Sequence, residues 1–537
     1  MGAVEEVTAE LRKWLEPLFQ KLEREYRDGK RNIIESTFHE SRARRSAWII
    51  AITFFLLGAL LLSHHEMWRD EIDAWLVARD SNSVPNLFAN LKYDGHPGLW
   101  YLLLMPLTRV SHSPTAMQAL HLLVATSTIY VFARYSPFTT IQKLLFSFGY
   151  FPFYEYSIIS RNYGLGVLLI FVFCSFFEKR YTNFLTVSLV LFLLSHTSVF
   201  ALIITIVLFF GLLIDCFYFT QRYKVLEGPN NFKIYGGFLI IALGIITAVL
   251  QLIPPTDIGF AAYWNLKVDI ATFKTALITL TAAYLPIPYF DLHFWNTCAW
   301  MANSYLKYLA LLSVCSFVVC SMISFVRKPF VLFVFVGCTI GLLVFFHVKI
   351  NTGMRHSGFL FITFILSVWL YRCYAQTNWS VLPFVQKREV LFSYGLTLIL
   401  LLHVGASFVA SIIDYRYPFS MAKSVAEFIN ERGLNKRLIV GYPDFTTSAV
   451  VGYLGVSKIY YPQADRFGSY VRFDRNRKKD QLADGKSEGV LLILSLPLGD
   501  LAEAGKVREI GQFVGAICGS DIHDRLCGED FYIYSLE

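Results

Sequence analysis

The sequence predicts a polytopic α-helical membrane protein that carries a small α/β domain at its carboxyl end. Of the 537 residues, 55% are hydrophobic and 16% are charged, whereas roughly a quarter of a soluble chain is charged. Apolar stretches of about 18 or more residues recur along the chain, which is the pattern of membrane-spanning helices. No basic run is interleaved with stacking aromatic residues, so nucleic acid is not an expected partner.

The amino-terminal segment, residues 1–45, is polar and ends in "SRARR" directly before the first apolar stretch. Residues 4–26 carry apolar side chains at helical spacing and predict an amphipathic helix. A helix lying on the cytoplasmic surface of the lipid is the favoured interpretation. A helix that binds a partner or a second copy of the chain is the alternative.

About eleven spans are predicted, and the basic residues orient them. Arg42, Arg44 and Arg45 place the amino terminus inside, and the parity of the spans then places the later basic loops inside as well. This parity requires residues 96–107 to form a partly embedded surface helix, because about a dozen apolar residues cannot cross about 30 Å of hydrocarbon. The predicted spans lie near 46–63, 115–134, 139–157, 163–177, 183–195, 197–219, 234–253, 299–326, 329–347, 357–374 and 389–413.

The carboxyl-terminal region, residues 414–537, changes composition and is predicted to be an extracytoplasmic domain beside the transmembrane domain 46–413. The same parity places the large loop 64–114 and the loop 254–298 on the outer side. Helical and strand patterns alternate in the tail, which predicts a βαβ core without a Gly-rich phosphate loop. The predicted elements are helices near 419–433, 446–454 and 476–484 and strands near 437–442, 458–462, 489–496 and 530–536.

Two cysteines of the tail, Cys518 and Cys527, lie nine residues apart in a hydrophilic stretch. An outer location would allow them to form a disulfide in an oxidising compartment. Two unpaired thiols are the alternative, which the sequence does not separate from the first.

An acidic segment, "WRDEIDAWLVARD" at 68–80, follows the first span directly. On a helical wheel its apolar side chains lie opposite Asp70, Asp73 and Asp80, which predicts a helix resting on the outer leaflet with carboxylates turned from lipid. Low-dielectric surroundings would raise the proton affinity of such a carboxylate and suit it to act as a base. The alternative, acids that only solvate the surface or cap a helix, is favoured for Asp80.

The next conspicuous stretch is "NLKYDGHPGLWYLLLMPL" at 90–107. An acidic pair after the first span, followed by an aromatic residue, a short polar stretch, a proline and an embedded aromatic helix, resembles the GT-C superfamily of membrane glycosyltransferases. Protein O-mannosyltransferases and the aminoarabinose transferases of lipid A share this pattern. The resemblance covers the first outer loop and the overall topology, and it does not specify a substrate.

The resemblance assigns roles to individual residues of the first loop. Asp70 matches the catalytic carboxylate of the family and Glu71 its acidic neighbour, with Glu71 or Asp73 expected to orient Asp70. His96 stands where aminoarabinose transferases carry a lysine that contacts the donor phosphate. A histidine is fully charged only when protonated, and a turn histidine that caps a helix is the alternative.

Other groups of the outer side are candidates for the same site. Glu155 lies in the second outer loop, where family members often carry an acidic residue, and Arg161 follows it. Arg355 and His356 lie at the outer start of the tenth predicted span. His96, Arg161 and Arg355 would form a clamp for the donor phosphate, and His356 is assigned to the same phosphate site. An arginine at a membrane border is also often a lipid anchor, which is the alternative for Arg355.

No cofactor is required by the sequence. His64, His65, His96, His196, His293, His347 and His356 all fall on the predicted outer half, but their spacing is not that of a metal site. A divalent cation held by Asp70 and Glu155 is the remaining metal hypothesis.

The resemblance implies an inverting glycosyltransferase of the cell envelope, in the bacterial inner membrane. It would move a sugar from a polyprenyl-phosphate donor to a lipid, glycan or protein acceptor on the outer face, with Asp70 as general base and membrane lipids around it. A lipid-linked glycan transporter or a non-catalytic carrier-binding protein is the alternative. A transporter should show paired ionisable groups in mid-span and interrupted helices. The predicted spans carry few ionisable residues, and one of these, Asp215, lies near the end of its span.

Overall fold

The computed structural model describes residues 36–216, 231–259, 267, 269–349, 353–374, 384–456, 458–477, 489–498, 507–517 and 529–536. Three predictions lie wholly or largely outside these residues: the amphipathic helix 4–26, the helix near 476–484 and the pair Cys518 and Cys527. They remain predictions.

Seven helices of the described residues are long and apolar enough to cross a membrane. Each overlaps a predicted span, and the ends differ from the predicted ends by at most five residues, except that the first helix begins at Ser36, ten residues before its predicted start. The helices are Ser36–Leu62, Thr115–Tyr135, Asn231–Leu252, Ser304–Phe325, Pro329–Lys349, Met354–Cys373 and Phe384–Arg416.

The other four predicted spans correspond to helices too short to count among the seven. Tyr163–Phe176 and Phe184–Ser195 match the predicted 163–177 and 183–195 within one residue, and the end of the predicted span 197–219 lies outside the described residues. The predicted span 139–157 is divided into an α-helix and a π-helix that are separated at Phe148 and Gly149, so its prediction as one continuous helix is wrong. A helix of 12 residues is only about 18 Å long, which does not reach across the hydrocarbon on its own. The observed elements are Thr140–Ser147, the π-helix Tyr150–Ile158, Tyr163–Phe176, Phe184–Ser195 and Val199–Ile214.

The predicted outer loops contain helices of their own. Of the predicted surface helix 96–107, residues 99–107 lie in the short apolar helix Leu99–Val110, which has the expected length of 12 residues. The loop 254–298 contains an unpredicted helix, Ile270–Tyr284. Its threonines conceal the apolar signal, yet Thr275 and Thr281 donate their hydroxyls to carbonyls four residues earlier, which satisfies these groups within the helix.

The carboxyl-terminal region contains a six-stranded sheet in the order β3-β2-β1-β4-β6-β5. β1 is parallel to β2 and to β4, which is the predicted βαβ core, and β6 is antiparallel to β4 and β5. The short β3 and the polar β5 were not predicted, because neither shows a strong apolar alternation. The strands are β1 Leu438–Tyr442, β2 Ile459–Tyr461, β3 Arg466–Gly468, β4 Val490–Leu494, β5 Val507–Phe513 and β6 Phe531–Leu536.

The helix of the acidic segment, Arg69–Asp80, is covered by the carboxyl-terminal region. Ile72 packs so closely on the helix Asp444–Leu454 that a β-carbon on Gly452 would lie 2.5 Å from its Cγ2. The Tyr453 hydroxyl accepts a hydrogen bond from the Met67 amide at 2.8 Å. The prediction of a helix resting on lipid is therefore wrong. A helical wheel treats the segment alone, whereas the tail covers one side of this helix and the helix Leu99–Val110 packs on another, with Trp75 and Leu104 in one buried cluster.

Candidate functional site

Asp70 lies in the first turn of the helix Arg69–Asp80 and is held by two arginines. The Oδ2 atom of Asp70 is 3.0 Å from Nη2 of Arg355 and 3.3 Å from Nη1 of Arg161. The latter nitrogen also donates to the backbone carbonyl of Asp70. The Asp70 side chain is 28% exposed, and no described residue forms an ion pair or hydrogen bond with its Oδ1 atom.

Three separate segments bring these groups together. Asp70 follows the loop after the first long helix, and Arg161 lies in the turn between the π-helix Tyr150–Ile158 and the helix that begins at Tyr163. Arg355 lies in the first turn of the helix Met354–Cys373. The apolar helices end here, so the polar groups gather at one end of the bundle.

His96 joins the same cluster through Arg161. Its Nε2 atom is 3.4 Å from Nη2 of Arg161, and its Nδ1 atom is 3.1 Å from the carbonyl oxygen of Asp94. Because a guanidinium only donates and a carbonyl only accepts, we assign the proton of a neutral ring to Nδ1. To donate a hydrogen bond from Nε2 to a phosphate, His96 would need a second proton.

Arg355 is fixed from several sides. Its guanidinium carbon lies 5.4 Å from the ring centroid of Trp68 and 5.6 Å from that of Trp295, within the range of cation–π attraction. Its Nε atom is 3.2 Å from Nε2 of His356. His356 is itself buried, so it positions Arg355 rather than facing the partly exposed side of the cluster.

Glu71 is fully buried and belongs to a different network. One carboxylate oxygen accepts the Ser160 amide at 2.5 Å, and the other lies 3.1 Å from Nε2 of His65. The Nδ1 atom of His65 is 2.8 Å from Asp414. Burial lowers the pKa of His65, but Asp414 and Glu71 outweigh burial and raise the pKa to about 10. Glu71 thus ties the acidic helix to the segment that carries Arg161.

Glu155 lies behind Trp295, one of the two indole rings that pack on Arg355. The Oε2 atom of Glu155 accepts hydrogen bonds from the Tyr150 hydroxyl at 3.2 Å and from the Trp295 indole at 3.3 Å. Its other oxygen, Oε1, is buried without a hydrogen-bond partner among the described residues. Glu155 is therefore joined to Arg355 through Trp295 rather than through a direct contact.

Asp70 and Asp73, one helical turn apart, have opposite pKa shifts. Burial raises the pKa of Asp70, but Arg161, Arg355 and the other nearby cations outweigh burial and hold the pKa below its ordinary value. The expectation that low-dielectric surroundings would dominate at Asp70 is therefore wrong. Burial and the neighbouring Asp94 raise the pKa of Asp73 well above its ordinary value. Asp70 is the ionised acid of the pair.

The remaining predicted groups lie apart from this cluster. Asp80 forms an ion pair with Arg79 at 2.8 Å and accepts a hydrogen bond from the Ser469 hydroxyl. Within the described part of the chain, no three His, Cys, Asp or Glu side chains are grouped to hold a metal ion. Two guanidinium groups face the Asp70 carboxylate, and this arrangement does not fit a divalent cation.

Sequence reasoning missed the residues that support the site. Trp68 is adjacent to the acidic motif and is the one with a local signal. Trp295 and Asp414 have none, because each contacts its partner across a long sequence separation: Asp414 is 349 residues from His65. His65 lies six residues before Glu71, and sequence reasoning treats it only as a possible metal ligand.

Comparisons of the chain with protein-family models, with curated proteins and with solved structures returned no match. The chemistry of the site therefore rests on the groups just described.

Proposed function

We propose that the protein is a GT-C-type glycosyltransferase that moves a sugar from a polyprenyl-phosphate donor to an acceptor hydroxyl. The observation that carries the proposal is the contact of Asp70 with both Arg161 and Arg355. A carboxylate and two guanidinium groups, partly exposed at the end of an apolar helical bundle, supply a base and a phosphate site side by side.

The two arginines suit the phosphate of the donor. Guanidinium groups bind phosphate through two parallel hydrogen bonds, and charge-assisted contacts of this kind are among the strongest in proteins. A polyprenyl chain lies in the bilayer, so its phosphate and the attached sugar remain at the membrane border. We place this border on the outer face, with the amino terminus inside, in accord with the basic residues of the opposite loops.

Donor binding would also activate the base. Without donor, Arg161 and Arg355 keep the pKa of Asp70 low, which makes Asp70 a weak base. A phosphate that attracts both guanidinium groups withdraws part of their charge from Asp70, and the proton affinity of the carboxylate rises. The free Oδ1 atom is then the proton acceptor.

The reaction needs one base and no strong acid. The acceptor hydroxyl gives its proton to Asp70 while its oxygen attacks the anomeric carbon of the sugar. The bond between this carbon and the phosphate oxygen breaks, and its electron pair stays on the polyprenyl phosphate, where Arg161 and Arg355 neutralise the charge. A single displacement inverts the anomeric configuration.

A lipid-linked glycan transporter or a carrier-binding protein without chemistry is the second candidate. The interruption of the third predicted span at Phe148 and Gly149 favours it, because broken helices line the substrate sites of many transporters.

Purified protein incubated with radiolabelled polyprenyl-phosphate sugars and with lipid, glycan or peptide acceptors separates the two. We expect transfer with inversion, a loss of about 10²–10⁴-fold in Asp70→Asn and near-normal transfer in the matched control Asp80→Asn. Donor binding without any turnover by the wild-type protein would reject the enzyme and favour the transporter or carrier-binding protein.

A further inference from the structure

A second cationic region lies at the other end of the first long helix. Arg44 and Arg45 are in the early part of the helix Ser36–Leu62, and Asp70 follows shortly after its end. From Arg44 to Leu62 the helix rises by about 27 Å, close to the hydrocarbon thickness of a bilayer. The two regions therefore lie at opposite borders of the membrane.

The region is a groove between the helices Ser36–Leu62 and Thr115–Tyr135 with a volume of about 760 Å³. Its charged rim consists of Arg44, Arg45 and Arg134. Arg134 forms an ion pair with Glu40 at 2.9 Å. Arg44 and Arg45 are exposed and have no ion-pair partner among the residues that the structure describes. Among the described residues, the rim thus carries two positive charges that no carboxylate pairs with.

The wall of the groove is aromatic and aliphatic. Trp48 packs on Tyr130 with ring centroids 4.5 Å apart, and this pair forms the floor next to the arginines. Ile49 and Ile52 continue the wall along the same helix and are more than half exposed, at 57% and 53%. Exposed isoleucines in the middle of an apolar helix face lipid chains rather than water.

We propose that this groove binds one anionic phospholipid, its phosphate between Arg44 and Arg45 and its acyl chains along Trp48, Ile49 and Ile52. Paired arginines match a phosphate, and the volume is within the range of small-molecule sites. The apolar wall beside the rim favours a lipid over a free phosphate ion, which would leave that wall uncovered. The proposal does not depend on a glycosyltransferase activity.

Native mass spectrometry of the full-length protein, with phosphatidylglycerol or phosphatidylcholine added to the detergent, tests the proposal. We expect the wild-type protein to retain one phosphatidylglycerol in preference to phosphatidylcholine. Arg44→Gln/Arg45→Gln should weaken this retention roughly 30-fold, since a basic residue near an anionic lipid contributes about a fivefold factor. Both arginines are exposed, so the double variant should fold normally, and its melting temperature verifies this.

The charge-matched control is Arg42→Gln/Lys179→Gln, which removes two exposed positive charges outside the groove. Retention of phosphatidylglycerol should be unchanged in the control. An equal loss of phosphatidylglycerol in both double variants would overturn the proposal, because it would show that any surface positive charge attracts the anionic lipid. No preference in the wild-type protein, or displacement of the lipid by an excess of free glycerol 1-phosphate, would overturn it as well.

Discussion

The two arginine clusters of this protein lie at opposite ends of one helix and differ in how their charges are held. Around Asp70, Arg161 and Arg355 have side chains only 12% and 18% exposed and both contact one carboxylate. In the groove at the other end, Arg44 and Arg45 are exposed and have no carboxylate partner among the described residues.

This difference separates a site suited to chemistry from one suited to binding alone. Arginines fixed by a carboxylate, two indole rings and buried hydrogen bonds meet a phosphate in one geometry, and they lose little conformational freedom on binding. Exposed arginines can follow a lipid head group through several geometries, which favours retention but not a directed reaction.

Among substitutions near Asp70, removing the buried charge of Glu71 should lower the stability of this region most. Glu71→Gln keeps one oxygen, so its NH₂ must face either His65 or the Ser160 amide, each of which donates a hydrogen bond or carries positive charge. Breaking a buried pair typically costs about 3–5 kcal/mol, so the unfolding midpoint in denaturant or heat should fall markedly. The neighbouring Glu66→Gln is the control and should not destabilise at pH 8, since burial raises the pKa of Glu66 to about 7. Equal midpoints for wild type and Glu71→Gln would mean that this network does not hold the cluster.

The attachment of the tail should weaken as pH rises. Glu529 accepts the Arg69 amide at 2.9 Å and the Ser420 hydroxyl at 2.5 Å, and burial raises its pKa to about 7. The folded state therefore binds this proton more tightly than the unfolded state, so its contribution is complete below pH 4.5 and is lost as pH rises through 7. The raised pKa of Glu66 also makes the folded state less stable as pH rises. We expect about 2–3 kcal/mol from Glu529, and Glu529→Gln should flatten the stability profile between pH 5 and 8. A profile that Glu529→Gln leaves as steep as before would contradict the assignment.

Arg355→Ala should change both the affinity for the donor and the pKa of Asp70. Loss of a charge-assisted hydrogen bond of about 1.5–3 kcal/mol should weaken donor binding by roughly 10–100-fold and leave acceptor affinity unchanged. The same change removes a cation that lowers the pKa of Asp70, so the acidic limb of the pH–rate profile should move to higher pH. Arg44→Gln, in the open groove, is the control and should alter neither quantity. Normal donor affinity and turnover in Arg355→Ala would return Arg355 to the role of a lipid anchor.

Asp80→Asn should have the smallest effect. Asp80 is paired with Arg79 and bonded to Ser469, away from Asp70, and partly exposed ion pairs contribute at most about 1 kcal/mol. Transfer activity should stay within about twofold of wild type, which a progress curve with radiolabelled donor measures. A large loss of activity would mean that Asp80, at the other end of this helix, takes part in the reaction instead of Asp70.

The sequence was sufficient for the long helices and for the set of residues near Asp70. Length and apolar content determine the spans, and their parity places Asp70, Arg161 and Arg355 on one side. The helical wheel of residues 68–80 wrongly predicted a helix resting on lipid, because the tail packs on this helix, with Gly452 against Ile72. Long-range packing of this kind leaves no local pattern in the sequence.

The break in the third span left a signal that hydropathy alone does not show. Gly149 directly precedes the π-helix and Pro152 lies in its first turn, where proline lacks the amide that a continuing helix would need. The pKa of Asp70 could not be predicted either, because its sign depends on two arginines that lie about 90 and 285 residues further along the chain.

Donor binding by Asp70→Asn, measured together with its turnover, shows whether Asp70 is the base beside an arginine phosphate site. Asparagine no longer competes with the donor phosphate for Arg161 and Arg355, and it cannot accept the proton of the acceptor. We therefore expect Asp70→Asn to bind a polyprenyl-phosphate sugar at least as tightly as the wild-type protein, while single-turnover transfer falls by about 10²–10⁴-fold. Transfer at the wild-type rate, or a loss of donor binding as large as the loss of transfer, would contradict the claim that Asp70 is the base beside an arginine phosphate site.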